Sequence, residues 1–129
     1  MTILLDTHAW IWMTMAPERL SRHARRQVSN EGNELLLSAA SAWEISVKWM
    51  LGKLTLPSAP AEFVPEYLAV TKTWPLAVEH SHALRVAQLP RHHNDPFDRL
   101  LIAQAQVERI PILSGDPEFG AYDIEVIPA

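Results

Sequence analysis

Along the 129-residue chain, short unbroken apolar runs alternate with longer stretches whose apolar residues recur at helical spacing. The first run is Ile3-Leu4-Leu5, which ends on Asp6. A run so short and continuous suits a strand buried on both faces, as in a parallel sheet. The signature returns at Leu35-Leu36-Leu37-Ser38, Pro111-Ile112-Leu113-Ser114 and Glu125-Val126-Ile127. Trp74-Pro75-Leu76 is a weaker version, because proline confines a strand to an edge or a start.

Helices are predicted between these runs. Thr7 can cap a helix begun by Ala9-Trp10-Ile11-Trp12, and Ser21 can cap one reaching about Asn30. Ala39 to about Leu51 reads as a helix, with Gly52 as its C-terminal cap and Ser41-Ala42-Trp43-Glu44 as a capping box. Leu54 to Pro57 and the prolines at 60 and 65 read as a connection, followed by a modest helix to about Thr71. Glu79 to Leu89 is helical, and Pro90-Arg91-His92-His93-Asn94 is a polar loop. Asp95 at the cap and Pro96 at the first position open the clearest helix, which continues through Arg99 to Arg109. Strands alternating with helices predict an α/β layer fold with a mainly parallel sheet, in a single domain over residues 1–129.

Composition narrows the chemistry. No run of about 18 apolar residues is present, so no membrane span is expected, and the N-terminus reads as a strand rather than a signal peptide. Cysteine is absent, which removes disulfides, thiol nucleophiles and zinc–thiolate sites and makes a cytoplasmic protein the expectation. The net charge of −4 argues against a nucleic-acid partner at first sight, because phosphate contacts need positive charge. If four of the 15 acids held a metal, the remainder would balance the 11 Lys and Arg, so charge does not decide the matter.

The positions of the acids carry more. Asp6 directly follows the first strand, Glu44 lies one helical turn beyond the end of the second, and Asp116 follows the Ile112 strand. Each has an ordinary reading: a turn residue at Asp6, a capping-box partner at Glu44, an N-cap at Asp116. In a parallel sheet, however, all three strand ends lie on one edge, where ligands of open α/β sheets gather. Asp98 opens a helix that follows another helix, so periodicity alone leaves it as a residue complementing the helix dipole. It joins the others only if that helix runs antiparallel to the strands as a crossover into the Ile112 strand. Crowded like charges are unfavourable unless a cation joins them. Oxygen ligands without cysteine point to Mg²⁺ or Mn²⁺, which can stabilise a phosphodiester transition state. Thr7, Ser38 and Ser114 are hydroxyls placed to orient carboxylates or water. His80 and His82 point apart on a helix and His92-His93 lies in a loop, so neither pair has a metal-ligand spacing. No Gly-rich phosphate loop or G-x-S-x-G elbow appears.

Four segments, LLDTHAWIW, SAASAWEISVKWMLGKLTL, HNDPFDRLLIAQA and PILSGDPEF, resemble the PIN-domain family, and within it the VapC-like toxins of type II toxin–antitoxin systems. They follow the family's order and spacing over nearly the whole chain. The resemblance implies a three-layer α/β/α sandwich with a mainly parallel sheet of four to five strands and the first strand central. It also implies a Mg²⁺- or Mn²⁺-dependent endoribonuclease whose catalytic and metal-binding acids fall on Asp6, Glu44, Asp98 and Asp116, with Asp95 left as a helix cap. Asp6 and Asp98 would be the main ligands. Homodimerisation and a cognate antitoxin covering the active-site groove are implied in the same way. Arg22, Arg25, Arg26, Lys48, Arg91 and Arg99 are candidate contacts for RNA phosphates. The alternatives are a module that binds RNA or protein without turnover, and a phosphatase acting on a small substrate.

Overall fold

A computed structural model describes residues 1–129. Five strands form one sheet: β1 (Thr2–Leu5), β2 (Glu34–Ser38), β3 (Thr73–Leu76), β4 (Ile112–Ser114) and β5 (Val126–Pro128). Their order is β3-β2-β1-β4-β5 and every pairing is parallel, so β1 is central as expected. The weak Trp74-Pro75-Leu76 segment lies in β3, an edge strand, where the amide missing from Pro75 is least costly. Six α-helices connect and cover the sheet: α1 (Thr7–Met15), α2 (Arg22–Ser29), α3 (Ala39–Met50), α4 (Pro60–Val70), α5 (His80–Arg85) and α6 (Pro96–Glu108).

Alternate side chains of β1 explain why its apolar run is unbroken. Ile3 and Leu5 enter a core with Trp10, Ala24, Ile45 and Phe63, which lie on α1, α2, α3 and α4. Leu4 points the other way, into a core with Leu101, Ile102, Ala105 and Phe119. All three β1 residues are fully buried, and each contributes about 1.5–3 kcal/mol by leaving water. These two cores on opposite sheet faces make the three-layer α/β/α arrangement. No helix is long and apolar enough to cross a membrane.

Four local expectations change. Asp6, not Thr7, caps α1: its carboxylate accepts the Ala9 N–H at 2.7 Å, and Thr7 is already helical. Ser38, not Ser41, caps α3 by accepting the Ala40 N–H, so Ser41 and Glu44 form no capping box. Both α1 and α3 start as soon as their strands end, and serine and threonine in the first turn cannot reveal which residue takes the cap. Pro65 lies inside α4 rather than in a connection. Its missing amide removes one helix bond, but Phe63 is fully buried and packs edge-on against Trp10 at 5.8 Å, holding the helix to the core. Finally, the helix expected over 79–89 is α5 followed by a 3-10 turn at Val86–Gln88. The chain then turns so that α6 starts at the edge where the parallel strands end.

Candidate metal centre

Asp6 is placed by the sheet itself. Its backbone N–H donates to Leu113 at 3.0 Å, which sets it beside Ser114 at the end of β4. The Ser114 hydroxyl donates to Asp6 Oδ2. Asp6 is almost fully buried, and that burial raises its carboxyl pKa against the opposing hydrogen bonds from Ser114 and Ala9.

Glu44 reaches the same edge from α3 and is 2% exposed, which excludes a mere surface cap. Thr7 Oγ1 donates to its Oε1 at 2.6 Å and lies 2.9 Å from Ser41 Oγ. Lys48, one turn later on α3, pairs with Glu44 Oε2. Thr7 therefore orients a carboxylate, as one of the hydroxyl expectations had it, while Ser38 is used as a cap. Lys48 is engaged by an acid of the centre.

Asp98 occupies the third position of α6, behind Asp95, whose carboxylate accepts the N–H groups of Phe97 and Asp98 at 2.8 and 3.1 Å. The crossover condition is met, because α6 leads directly into β4 and begins at the acid-bearing edge. Burial, followed by the negative charges of Asp95 and Glu44, pushes the Asp98 pKa up to about 7. Asp6 adds to the same push and His93 opposes it. A carboxyl held that high among its own kind marks a place short of positive charge.

Asp116 caps the 3-10 turn after β4 through Oδ1, which accepts the Glu118 N–H at 2.9 Å. Its own N–H donates to Ser114 Oγ at 3.0 Å. Its Oδ2 is 2.9 Å from His93 Nε2, and Asp98 Oδ2 is 3.0 Å from the same nitrogen. The four acids thus form one linked set: Asp6 to Asp116 through Ser114, Asp116 to Asp98 through His93, and Glu44 felt by both Asp6 and Asp98.

His93 is the residue that sequence reasoning set aside. It precedes Asp98 by five positions in a loop, a spacing that carries no signal, and only the fold of that loop brings it to the acids. Burial pulls its pKa down, but the hydrogen bond to Asp116 and the charges of Asp98, Asp116 and Glu118 leave it raised. One ligand atom from each of His93, Asp98 and Asp116 fall within 4.8 Å of one another, a trio that could surround a metal ion. His82, by contrast, is a structural group: its Nδ1 accepts the Glu79 N–H at 2.9 Å and closes the start of α5.

The cations sort differently from the expectation. Arg22, Arg25 and Arg26 are exposed on α2, and Arg91 is exposed in the loop before α6. Arg99 is turned inward, donating to the carbonyls of Val86, Leu89, Pro90 and His93 at 2.9–3.3 Å. It staples the His93 loop and is not free to meet a phosphate.

Known proteins share this architecture. The structure of DNA-bound VapBC from Salmonella typhimurium superposes with a TM-score of 0.74 at 15% identity, covering 99% of this chain and 98% of that one. VapBC2 from Rickettsia felis, bound to a DNA fragment from its promoter, gives 0.73 at 11% identity with the same coverage. At such identities the likeness is one of fold. In sequence, 58 residues are 47% identical to Ribonuclease VapC16 of Mycobacterium tuberculosis, a match over 45% of this chain and 41% of that protein. The chain therefore aligns with less than half the length of that curated relative. The PIN domain profile, in contrast, matches residues 3–125, a span holding the central strand and all four converging acids, and by that match the chain belongs to the PIN domain family.

Proposed function

We propose that this chain is a metal-dependent endoribonuclease and the toxin half of a type II toxin–antitoxin pair, built as one catalytic domain over residues 1–129. The observation that carries the reading is the crowding around Asp98, where burial and neighbouring carboxylates hold a pKa of about 7. The donor set fits a hard divalent cation: Asp6, Glu44, Asp98 and Asp116 offer oxygens and the chain has no cysteine. Mg²⁺ or Mn²⁺ suits it, with Asp6 and Asp98 as main ligands and Asp116 and Glu44 completing the set directly or through water. Such a cation supplies Lewis acidity and neutralises charge developing on a phosphodiester. The chain's own groups do the rest. Ser114 and Thr7 fix the orientation of Asp6 and Glu44, and the exposed Arg22, Arg25, Arg26 and Arg91 supply positive charge for an RNA backbone.

Relatives named for ribonuclease activity and for VapBC complexes support the biological setting. Exposed Trp43, Trp49, Met50 and Leu51, on and just after α3, support an antitoxin partner or a second copy of the chain as cover. The cytoplasm is the compartment for such a pair.

The test is cleavage of structured RNAs by purified protein with Mg²⁺ or Mn²⁺, with and without excess EDTA. Cleavage should stop in EDTA and return with added metal. Equal cleavage in EDTA would sink the metal mechanism. Stoichiometric RNA binding without turnover, at saturating Mn²⁺, would favour a binding module instead.

A further inference from the structure

His93 is held from every side. Its backbone N–H donates to the Tyr122 hydroxyl at 2.7 Å, its carbonyl accepts from Arg99 at 3.2 Å, and its ring stands edge-on to Phe119 at 5.9 Å. Its side chain is only 11% exposed. The two ring nitrogens have opposite surroundings. Nδ1 accepts the backbone N–H of Asp95 at 3.1 Å, whereas Nε2 faces oxygens of Asp116, Asp98 and Glu118 at 2.9, 3.0 and 3.4 Å.

That asymmetry fixes the tautomer. A neutral imidazole carries one N–H, and the nitrogen accepting from Asp95 cannot be the one that bears it. The hydrogen is therefore on Nε2. To bind a cation through Nε2, the ring would need its hydrogen on Nδ1, donor against donor with the Asp95 amide. Histidines that bind metals normally donate their other N–H to an acceptor, the reverse of this arrangement.

We propose that His93 is a hydrogen-bond donor of the centre and not one of its metal ligands. Nε2–H bridges Asp98 and Asp116. Were those carboxylates to hold a cation, Nε2–H would be free to donate to a phosphate oxygen of RNA. This second step rests on the ribonuclease reading. His93 also lines, with Arg91, Asn94 and Arg99, a polar hollow of about 230 Å³ that contains no apolar residue; Arg91 is its exposed cation, since Arg99 is spent on backbone carbonyls.

The proposal is tested without activity first. In histidine-¹⁵N-labelled protein, long-range ¹H–¹⁵N correlations should report the Nε2–H tautomer of His93 before and after saturation with Mg²⁺. A switch to Nδ1–H with Mg²⁺ overturns the proposal. By electron paramagnetic resonance, His93→Ala and His93→Gln should bind Mn²⁺ as tightly as wild type or more tightly. Weakening by about tenfold or more in both variants would mark a ligand and also overturn it. In RNA cleavage, kcat of His93→Ala should fall about tenfold to a hundredfold, with partial recovery in His93→Gln, whose amide can donate. Unchanged kcat in both overturns the phosphate contact. Wild-type protein that cleaves no RNA overturns the ribonuclease reading and the phosphate contact together, while the resonance measurements still decide whether His93 is donor or ligand.

Discussion

The Ser114 hydroxyl donates to Asp6 across 108 residues of sequence and accepts the Asp116 N–H at 3.0 Å, so one side chain ties the first acid to the last. Ser114 ends β4, which pairs directly with β1, and its position beside Asp6 follows from the parallel register of Leu5 with Leu113. Ser114→Ala leaves buried Asp6 with one fewer donor and Asp116 N–H without its partner. Cleavage should fall about tenfold to a hundredfold, as when a group orienting a metal ligand is removed. Stability should fall by about 1–3 kcal/mol, the usual cost of unpaired buried polar groups. A variant with wild-type cleavage would show that the hydroxyl does not orient the site.

Asp6→Asn separates function from folding. Asparagine accepts at an N-cap nearly as well as aspartate, so the Ala9 contact that starts α1 survives. The melting temperature without metal should stay similar or rise, because a buried charge is removed, while cleavage is nearly abolished. The rise in melting temperature that Mg²⁺ gives the wild type should disappear with it. A large drop in stability would instead make Asp6 a structural acid.

Asp98 gives a pH dependence whose sign is fixed. Its carboxyl has a pKa of about 7 when folded against an ordinary 3.8. Between about pH 4 and pH 7 the unfolded chain releases this proton while the folded one keeps it, so stability falls as pH rises and the full penalty remains above pH 7. In metal-free protein, Asp98→Asn should match wild type near pH 4 and become increasingly more stable towards pH 7. Because Asp98 is partly solvated, the gain should be small, about 1–2 kcal/mol after screening. Denaturant melts at pH 4, 5.5, 7 and 8 would check this, and a constant difference across the series would contradict it.

Arg99 is predicted to matter for stability rather than for RNA charge. Arg99→Lys loses the planar fork that reaches the carbonyls of Val86, Leu89, Pro90 and His93, and a lysine ammonium cannot replace it. The variant should be about 1–3 kcal/mol less stable, with faster amide exchange over residues 91–95. Its RNA affinity should keep the wild-type salt dependence. Arg25→Ala and Arg26→Ala should each lower the salt slope by about one without changing the melt. A reduced slope in Arg99→Lys with an unchanged melt would reverse these roles.

The sequence by itself determined the sheet and most of the acid edge. Ile3-Leu4-Leu5 and Leu35-Leu36-Leu37 are apolar on consecutive positions, and a strand with that pattern needs cover on both faces, hence helices above and below. Once the strands are parallel, Asp6, Glu44 and Asp116 follow them to one edge from chain position alone. Asp98 needed one more step, the direction of α6, which the connection into β4 supplied.

Only the tertiary structure decided the partners. Whether Asp6 or Thr7 caps α1, and whether Ser38 or Ser41 caps α3, differs by a residue or a turn that local propensity does not resolve. Glu44 takes its hydrogen bond from Thr7, 37 residues away, and Arg99 and Tyr122 fold the loop that delivers His93. Periodicity is a property of neighbours along the chain and is written in it. The choice of donor for a buried carboxylate depends on which distant side chains packing brings within about 3 Å, and no local spacing encodes that.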